Sequence, residues 1–141
     1  MATIISYGSQ AKLPLDPLNT AVTIAGIPGA GAGLATAQVV LSPANPASFS
    51  SRVELNGSFS VNAPANSPFF VLIRRAGTDI YRSFFNFTTT TDIQLNVQWV
   101  DGPYIGIQNY ELVIQNESNL PLSLFGPISF TATAIGGEGV I

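Results

Sequence analysis

The chain predicts an all-β fold, a jelly-roll-like antiparallel β-sandwich with an extended N-terminal arm, on three observations. Apolar residues recur at every second position in short runs, no stretch carries three helical turns of amphipathic spacing, and Gly, Pro and Asn turns divide the chain into about eight strands. Strands at this spacing favour two packed sheets or a jelly roll. A propeller would need internal repeats, which are missing. A length of 141 residues fits one domain that buries about two thirds of the surface of its unfolded chain.

Thr3 to Tyr7 reads as a short strand rich in β-branched and aromatic side chains. Leu13-Pro14-Leu15-Asp16-Pro17 continues neither a helix nor a central strand, since each proline lacks a donor and restricts its predecessor. Val22-Thr23-Ile24 reads as a brief pairing segment. The run Gly26-Ile27-Pro28-Gly29-Ala30-Gly31-Ala32-Gly33 has the most flexible composition in the chain. It predicts a hinge at Gly26, Gly29, Gly31 and Gly33. The expected organisation is therefore a connector strand over residues 1–12, a Pro/Gly-rich flexible segment over 13–33 and a jelly-roll domain over 34–141.

Within that domain, Leu34 to Leu41 predicts a strand closed by Pro43 and Pro46. Val53, Leu55, Phe59 and Val61 alternate with polar residues around Gly57, which suits a bulge or bend. Phe69 to Arg75 and Asp79 to Phe87 form a hairpin across Ala76-Gly77-Thr78. Ile93, Leu95, Val97 and Trp99 alternate with Asp92, Gln94, Asn96 and Gln98 up to Asp101-Gly102-Pro103, which puts Trp99 on the core side. Tyr110, Leu112 and Ile114 alternate with polar neighbours, but Val113 makes both faces of that strand partly apolar. Ile128 to Ala134 follows the turn expected at Phe125-Gly126-Pro127, and the tail Gly136-Gly137-Glu138-Gly139 after it is expected to be mobile unless a partner holds it.

The composition is as informative as the pattern. Hydrophobic residues make up 46% of the chain and charged residues only 9%, with no histidine and no cysteine, against a charged fraction of about a quarter in an average domain. Uncharged polar residues take the place of charge: 13 Ser, 11 Thr, 10 Asn and 6 Gln, which cover strand faces and close contacts without the cost of desolvating ions. Net charge is −3, and the bases Lys12, Arg52, Arg74, Arg75 and Arg82 form no track for a phosphate backbone, so nucleic acid is not an expected partner. No window approaches the roughly 20 apolar residues of a spanning helix, so no membrane insertion is expected.

Catalysis has little to work with. Without histidine or cysteine, a nucleophile would need Lys12 or a carboxylate as base, and Lys12 lies in the arm. Glu54, Asp79, Asp92, Asp101, Glu111, Glu117 and Glu138 are the carboxylates available for a glycosidase-like pair. Their positions on polar strand faces and beside turns favour solvated structural roles. No calcium-loop spacing occurs, and the glycine run lacks a phosphate loop's lysine. No metal, no cofactor and no enzymatic activity are expected. Acceptor patterns for N-glycosylation at Asn56, Asn86 and Asn116 read as chance matches, because Met1 to Tyr7 lacks the basic and apolar regions of a secretory signal.

The doubled aromatics are the more telling feature. Adjacent Phe69/Phe70 and Phe84/Phe85 point to opposite faces, so one of each pair needs a second burial surface, either a covering loop or another subunit. Arg74, Arg75 and Arg82 on the same hairpin read as edge protection, the alternative being contact with an acidic ligand or a neighbouring subunit's carboxylate.

The opening Thr3-Ile4-Ile5-Ser6-Tyr7, then Leu13-Pro14-Leu15, Arg52-Val53-Glu54-Leu55, and Tyr110-Glu111-Leu112 through Gly126-Pro127-Ile128-Ser129-Phe130-Thr131, occur in an order that resembles the exosporium protein C family. These are spore-surface proteins of Bacillus-like bacteria related to endospore appendage subunits, and the resemblance runs nearly end to end. It implies a jelly roll similar to tumour necrosis factor and C1q modules, a homotrimer, and a place on the spore surface. It also implies assembly from the mother cell without a Sec signal. The resulting expectation is a structural subunit of a fibre or exosporium layer that meets its own copies and other spore-surface proteins. Thr3, Ile4, Ile5 and Tyr7 of the arm, with Phe69, Phe70, Phe84 and Phe85, are the expected inter-subunit contacts, and head-to-tail linkage by the arm would give a polymer. The alternative is a lectin-like or receptor-binding module at a fibre tip, with Trp99, Tyr104 and Tyr110 as its platform.

Overall fold

The computed structural model describes residues 3–12, 22–102 and 104–136. Among these residues nine strands run in chain order: β1 (Thr3–Lys12), β2 (Val22–Ile24), β3 (Ala30–Leu41), β4 (Arg52–Ala63), β5 (Phe69–Arg75), β6 (Thr78–Phe85), β7 (Thr91–Asp101), β8 (Gly106–Asn116) and β9 (Leu122–Gly136). One sheet has the order β1-β9-β4-β7, with β2 pairing the remaining length of β9, and the other has the order β3-β8-β5-β6. Every pairing among these strands is antiparallel. The one helical piece among the described residues is a 3-10 turn, Pro46–Ser50, where the Asn45 side chain accepts from the Ala47 amide at 3.1 Å.

The alternation read in β4 is the inward face of the sandwich: Val53, Leu55, Phe59, Val61 and Ala63 are buried, and the residues between them are half-buried or exposed. Gly57 lies on the same inward face. A Cβ there would stand 3.0 Å from Leu112 and 3.1 Å from Val97, so the glycine makes room for a leucine from the opposite sheet. No bulge forms against β7, whose ladder runs unbroken through Asn56↔Gln98, Gly57↔Val97 and Ser58↔Asn96. Across the second sheet, Val113 and its register partner Leu72 are buried although both lie on the outward face. Apolar residues on both faces of β8 thus meet partners on both.

Three segments depart from the sequence reading. Gly31 and Gly33, expected in a hinge, sit inside β3 opposite Gln115 and Val113; Gly29 precedes the strand and donates to the Asn116 carbonyl at 2.7 Å. Glycine lowers strand propensity, but a ladder of neighbouring backbone overrides it here. The sandwich therefore begins before residue 34. Phe125-Gly126-Pro127 is not a turn but part of β9: the register against β4 slips from Ser58↔Ser129 to Ser60↔Phe125, a bulge that absorbs the proline. There β9 also changes its other neighbour, from β1 over Ile128 to Gly136 to β2 over Leu122 to Leu124. Leu13-Pro14-Leu15 falls outside the described residues, as does the tail after Gly136.

The third departure is the arm. β1 is a strand of the protein's own sheet, paired with β9 from Thr3↔Gly136 to Lys12↔Ile128. It also closes one side of the sandwich. The Ser6 hydroxyl accepts from the Val40 amide at 2.9 Å, and Gly8 lies so near the Gln38 backbone that a Cβ would collide with it. The opposite side ends in β6 and β7, with no strand beyond either among the described residues.

The β5–β6 hairpin turns on Ala76 and Gly77, with φ of 49° and 82°, the two positive values of a type I′ turn. Replacing Ala76 by Asn, which tolerates this region better, should raise stability by about 0.5–1 kcal/mol in urea unfolding. Gly57→Val should lower it by about 1–3 kcal/mol through overpacking against Leu112.

Candidate functional site at the open side of the sandwich

Asp101 ends β7 opposite Val53, and Arg75 ends β5 opposite Tyr110, so the two charges reach each other across the gap between the sheets. Arg75 Nη1 donates to both Asp101 carboxylate oxygens at 2.7 and 2.5 Å. The Tyr110 hydroxyl donates to Asp101 Oδ2 at 2.8 Å, and the Tyr104 ring lies 3.8 Å from the guanidinium. Burial, then the hydrogen bond to Asp101, holds the Tyr110 phenol well above its ordinary range. The same carboxylate's hydrogen bond raises Arg75, against desolvation. With its donors held protonated, this clamp ties one sheet to the other.

The open side is then plugged by aromatic rings. Tyr81 of β6 meets Trp99 of β7 at 5.5 Å between centroids, and Phe69 stacks on Phe85 at 5.3 Å with Phe87 beside them at 6.4 Å. Trp99 follows the inward alternation of Leu95 and Val97 yet is 43% exposed. β7 is the last strand of its sheet, so a side chain near its end lacks a neighbour on one side. The core position expected for Trp99 is corrected accordingly. Of the expected ligand platform, Trp99 and Tyr104 are exposed, but Tyr110 is buried in the clamp.

The expected inter-subunit residues divide. Ile4, Tyr7 and Phe84 are exposed. Phe70 is half-buried beneath Phe84, 5.2 Å away, and Arg82, whose guanidinium sits 4.1 Å from its ring. Ile5 and Phe85 pack against the core, and Phe69 is fully buried within it, so Phe69 faces its own chain. Thr3 is placed by its pairing with Gly136. Val40, Val100 and Ile107 are exposed apolar residues that the reading missed. Val100 had a visible signal: a valine at an outward position next to Trp99.

The carboxylates are dispersed. Glu54 pairs with Arg52 at 3.2 Å and Asp79 with Arg74 at 2.7 Å. Asp92 accepts from Asn62 and Glu117 from Gln115, while Glu138 falls outside the described residues. Among the described residues no three His, Cys, Asp or Glu side chains group as metal ligands, and no helix is long and apolar enough to cross a membrane. Asn116 is fully buried, donating to the Ala25 and Leu120 carbonyls at 3.0 and 2.8 Å, which removes it as a glycan acceptor in the folded chain. Asn56 and Asn86 are exposed.

No protein-family model and no curated protein matches the chain. Solved structures do. The chain is similar to the structure of infectious bursal disease virus Gx strain, with 11% identity, a TM-score of 0.54, and coverage of 94% of this chain and 37% of that one. It is similar to the infectious bursal virus derived T=1 particles, with 13% identity, a TM-score of 0.56, and coverage of 92% and 36%. It also aligns with the CBM36-1 domain of a multidomain xylanase from the hindgut metagenome of Trinervitermes trinervoides, at 13% identity, a TM-score of 0.46, and coverage of 99% and 100%. The chain spans about a third of the length of the viral chains. Such identities establish the fold alone: the protein is a jelly-roll β-sandwich.

Asp101→Asn should cost about 3 kcal/mol, because Arg75 loses its countercharge between the sheets, and chemical denaturation measures it. Tyr110 predicts an alkaline limb. Its folded pKa is raised, so the stability it contributes is complete below the unfolded value near 10 and falls above it, by at most about 1.4 kcal/mol per pH unit. In Tyr110→Phe that slope should be reduced although overall stability is lower.

Proposed function

We propose that the protein is a structural, self-assembling subunit of a spore-surface fibre or exosporium layer and has no catalytic role. The observation that carries this reading is exposed apolar surface on both sheets: Ile4, Tyr7 and Val100 are 68%, 59% and 55% exposed on one, and Ile107 and Phe84 are 61% and 58% exposed on the other. Exposed apolar area of this kind is characteristic of surfaces that meet a partner. The spore-surface setting rests on the resemblance to the exosporium protein C family. The two viral structures supply a fold precedent, one of them in a T=1 particle.

In this reading the jelly rolls trimerise and the arm links successive subunits. β1 already docks on β9 of its own chain, and exchange would make the same hydrogen bonds between copies, the economy of a domain swap. Linkage of this kind is heterologous, and where its rotation does not close on a ring it gives the open string that a filament requires.

Electron microscopy of the purified protein should show fibres or layers; discrete monomers under all assembly conditions would refute the reading. For the arm, a double variant Ser9→Cys/Thr131→Cys joins two residues that are register partners on the outward face. Oxidised as monomer, it should fail to polymerise and should recover on reduction. Fibres of normal length from the oxidised form would reject arm exchange.

A further inference from the structure

We propose that β7 is the edge by which two copies of this chain pair, strand to strand, across a twofold axis at Asn96. The inference rests on the reading of the protein as self-assembling and names an interface which that reading leaves open.

β7 is a long edge left unguarded. Its eleven residues run in unbroken register with β4, from Val53↔Asp101 to Ala63↔Thr91. The strand contains no lysine, no arginine and no proline, and its two charges, Asp92 and Asp101, stand at its ends. Soluble proteins ordinarily blunt such edges with charge, proline, a bulge or a cover, because exposed backbone groups template pairing with another chain. The neighbouring edge is treated differently: β6 carries Asp79 and Arg82, and its register against β5 slips between Ile73 and Arg74. The far side of the sandwich is closed by β1 against β3. β7 is thus a long edge whose central residues, from Ile93 to Val100, carry none of these protections.

Its sequence is also complementary to itself. Antiparallel pairing centred on Asn96 sets Leu95 opposite Val97, Gln94 opposite Gln98 and Ile93 opposite Trp99, each with the partner copy's residue. The outward face becomes a row of amides, Gln94, Asn96 and Gln98 all being exposed. The inward face continues both cores and gives Trp99 the neighbour it lacks. Asp92 falls opposite Val100, covering an exposed valine, and Asp101 falls opposite Thr91, so no like charges meet. Strand addition supplies main-chain hydrogen bonds and the alternate side chains set the register. The contact is isologous and closes on a pair.

A chain without cysteine makes the register directly testable. Residues facing each other across antiparallel strands lie about 4.5–5.5 Å apart at Cα, within disulfide reach. Under mild oxidation Asn96→Cys should give a covalent dimer and Gln94→Cys alone should not, while Gln94→Cys mixed with Gln98→Cys should cross-link. Asn96→Lys and Asn96→Asp each place like charges at the axis of an exposed position and should sediment as subunits without the β7 pair; their mixture should restore it. Failure of Asn96→Cys to cross-link, or a normal pair from Asn96→Lys alone, overturns the proposal, and a neighbour's β1 added at this edge would produce that failure. Wild-type fibres that persist unchanged in Asn96→Lys would leave self-assembly standing and sink this interface. A wild-type protein that is monomeric at every concentration would sink both.

Discussion

The contact on which the architecture turns is the approach of β1 to β3 at Gly8 and Gln38. The backbones come so close there that no side chain fits at residue 8, and Ser6 adds a hydrogen bond to Val40 across the same seam. Two sheets that face each other leave two open sides. Closing one by direct backbone contact brings the sheets together there and sends both unpaired edges, β6 and β7, to the other. The partly exposed aromatic plug, the clamp and the unguarded strand all lie on that second side because the first has no room for them.

The open side is held by interactions of another kind. Backbone contact is replaced by side chains that span the gap: Arg75 to Asp101 at one end, Tyr81 to Trp99 beside it, and Phe69, Phe85 and Phe87 further along. An ion pair so placed adds little net stability, since desolvation offsets much of its attraction. Its geometry still matters. A charge-assisted contact from one Arg75 nitrogen to both Asp101 oxygens, joined by the Tyr110 hydroxyl, sets how far apart, and in what alignment, the sheets stand where β7 ends. The protein spends two of its 13 charged residues on this arrangement, and that economy fits a surface kept largely uncharged.

What was legible in the sequence was what a single strand decides for itself. The alternation in β4 named its buried face, Gly77 marked the hairpin, and Asp101-Gly102 marked the end of β7. What was hidden depends on neighbours. Glycine after glycine in residues 29–33 lowers intrinsic strand preference, and only the ladder supplied by β8 turns Gly31 and Gly33 into strand. Gly126-Pro127 looks like a stop, but β9 passes through it as a bulge because β4 pairs with it on both sides of the slip. Of the doubled phenylalanines, alternation required that one of each pair face outward and could not say which. The structure turns Phe69 and Phe85 inward and leaves Phe70 and Phe84 on the outer face. Trp99 carried the inward signal and is nevertheless exposed, since position within a sheet is not written in a strand's own periodicity.

Symmetry separates the β7 pair from arm exchange. A β7 pair is isologous: each edge is consumed by its twin and the association stops at two. Exchange of β1 onto a neighbour's β9 is heterologous and leaves a free acceptor at one end and a free donor at the other. Neither alone accounts for a cross-linked layer, because pairs do not propagate and arm exchange runs only along a string. Together they give a surface layer what it needs, one contact that propagates and one that joins neighbouring strings. The division also bears on solubility before assembly. An unguarded edge is a hazard to a free subunit, and self-pairing at β7 would bury that edge at once, while β1 folded on its own β9 keeps the propagating edge occupied until exchange begins.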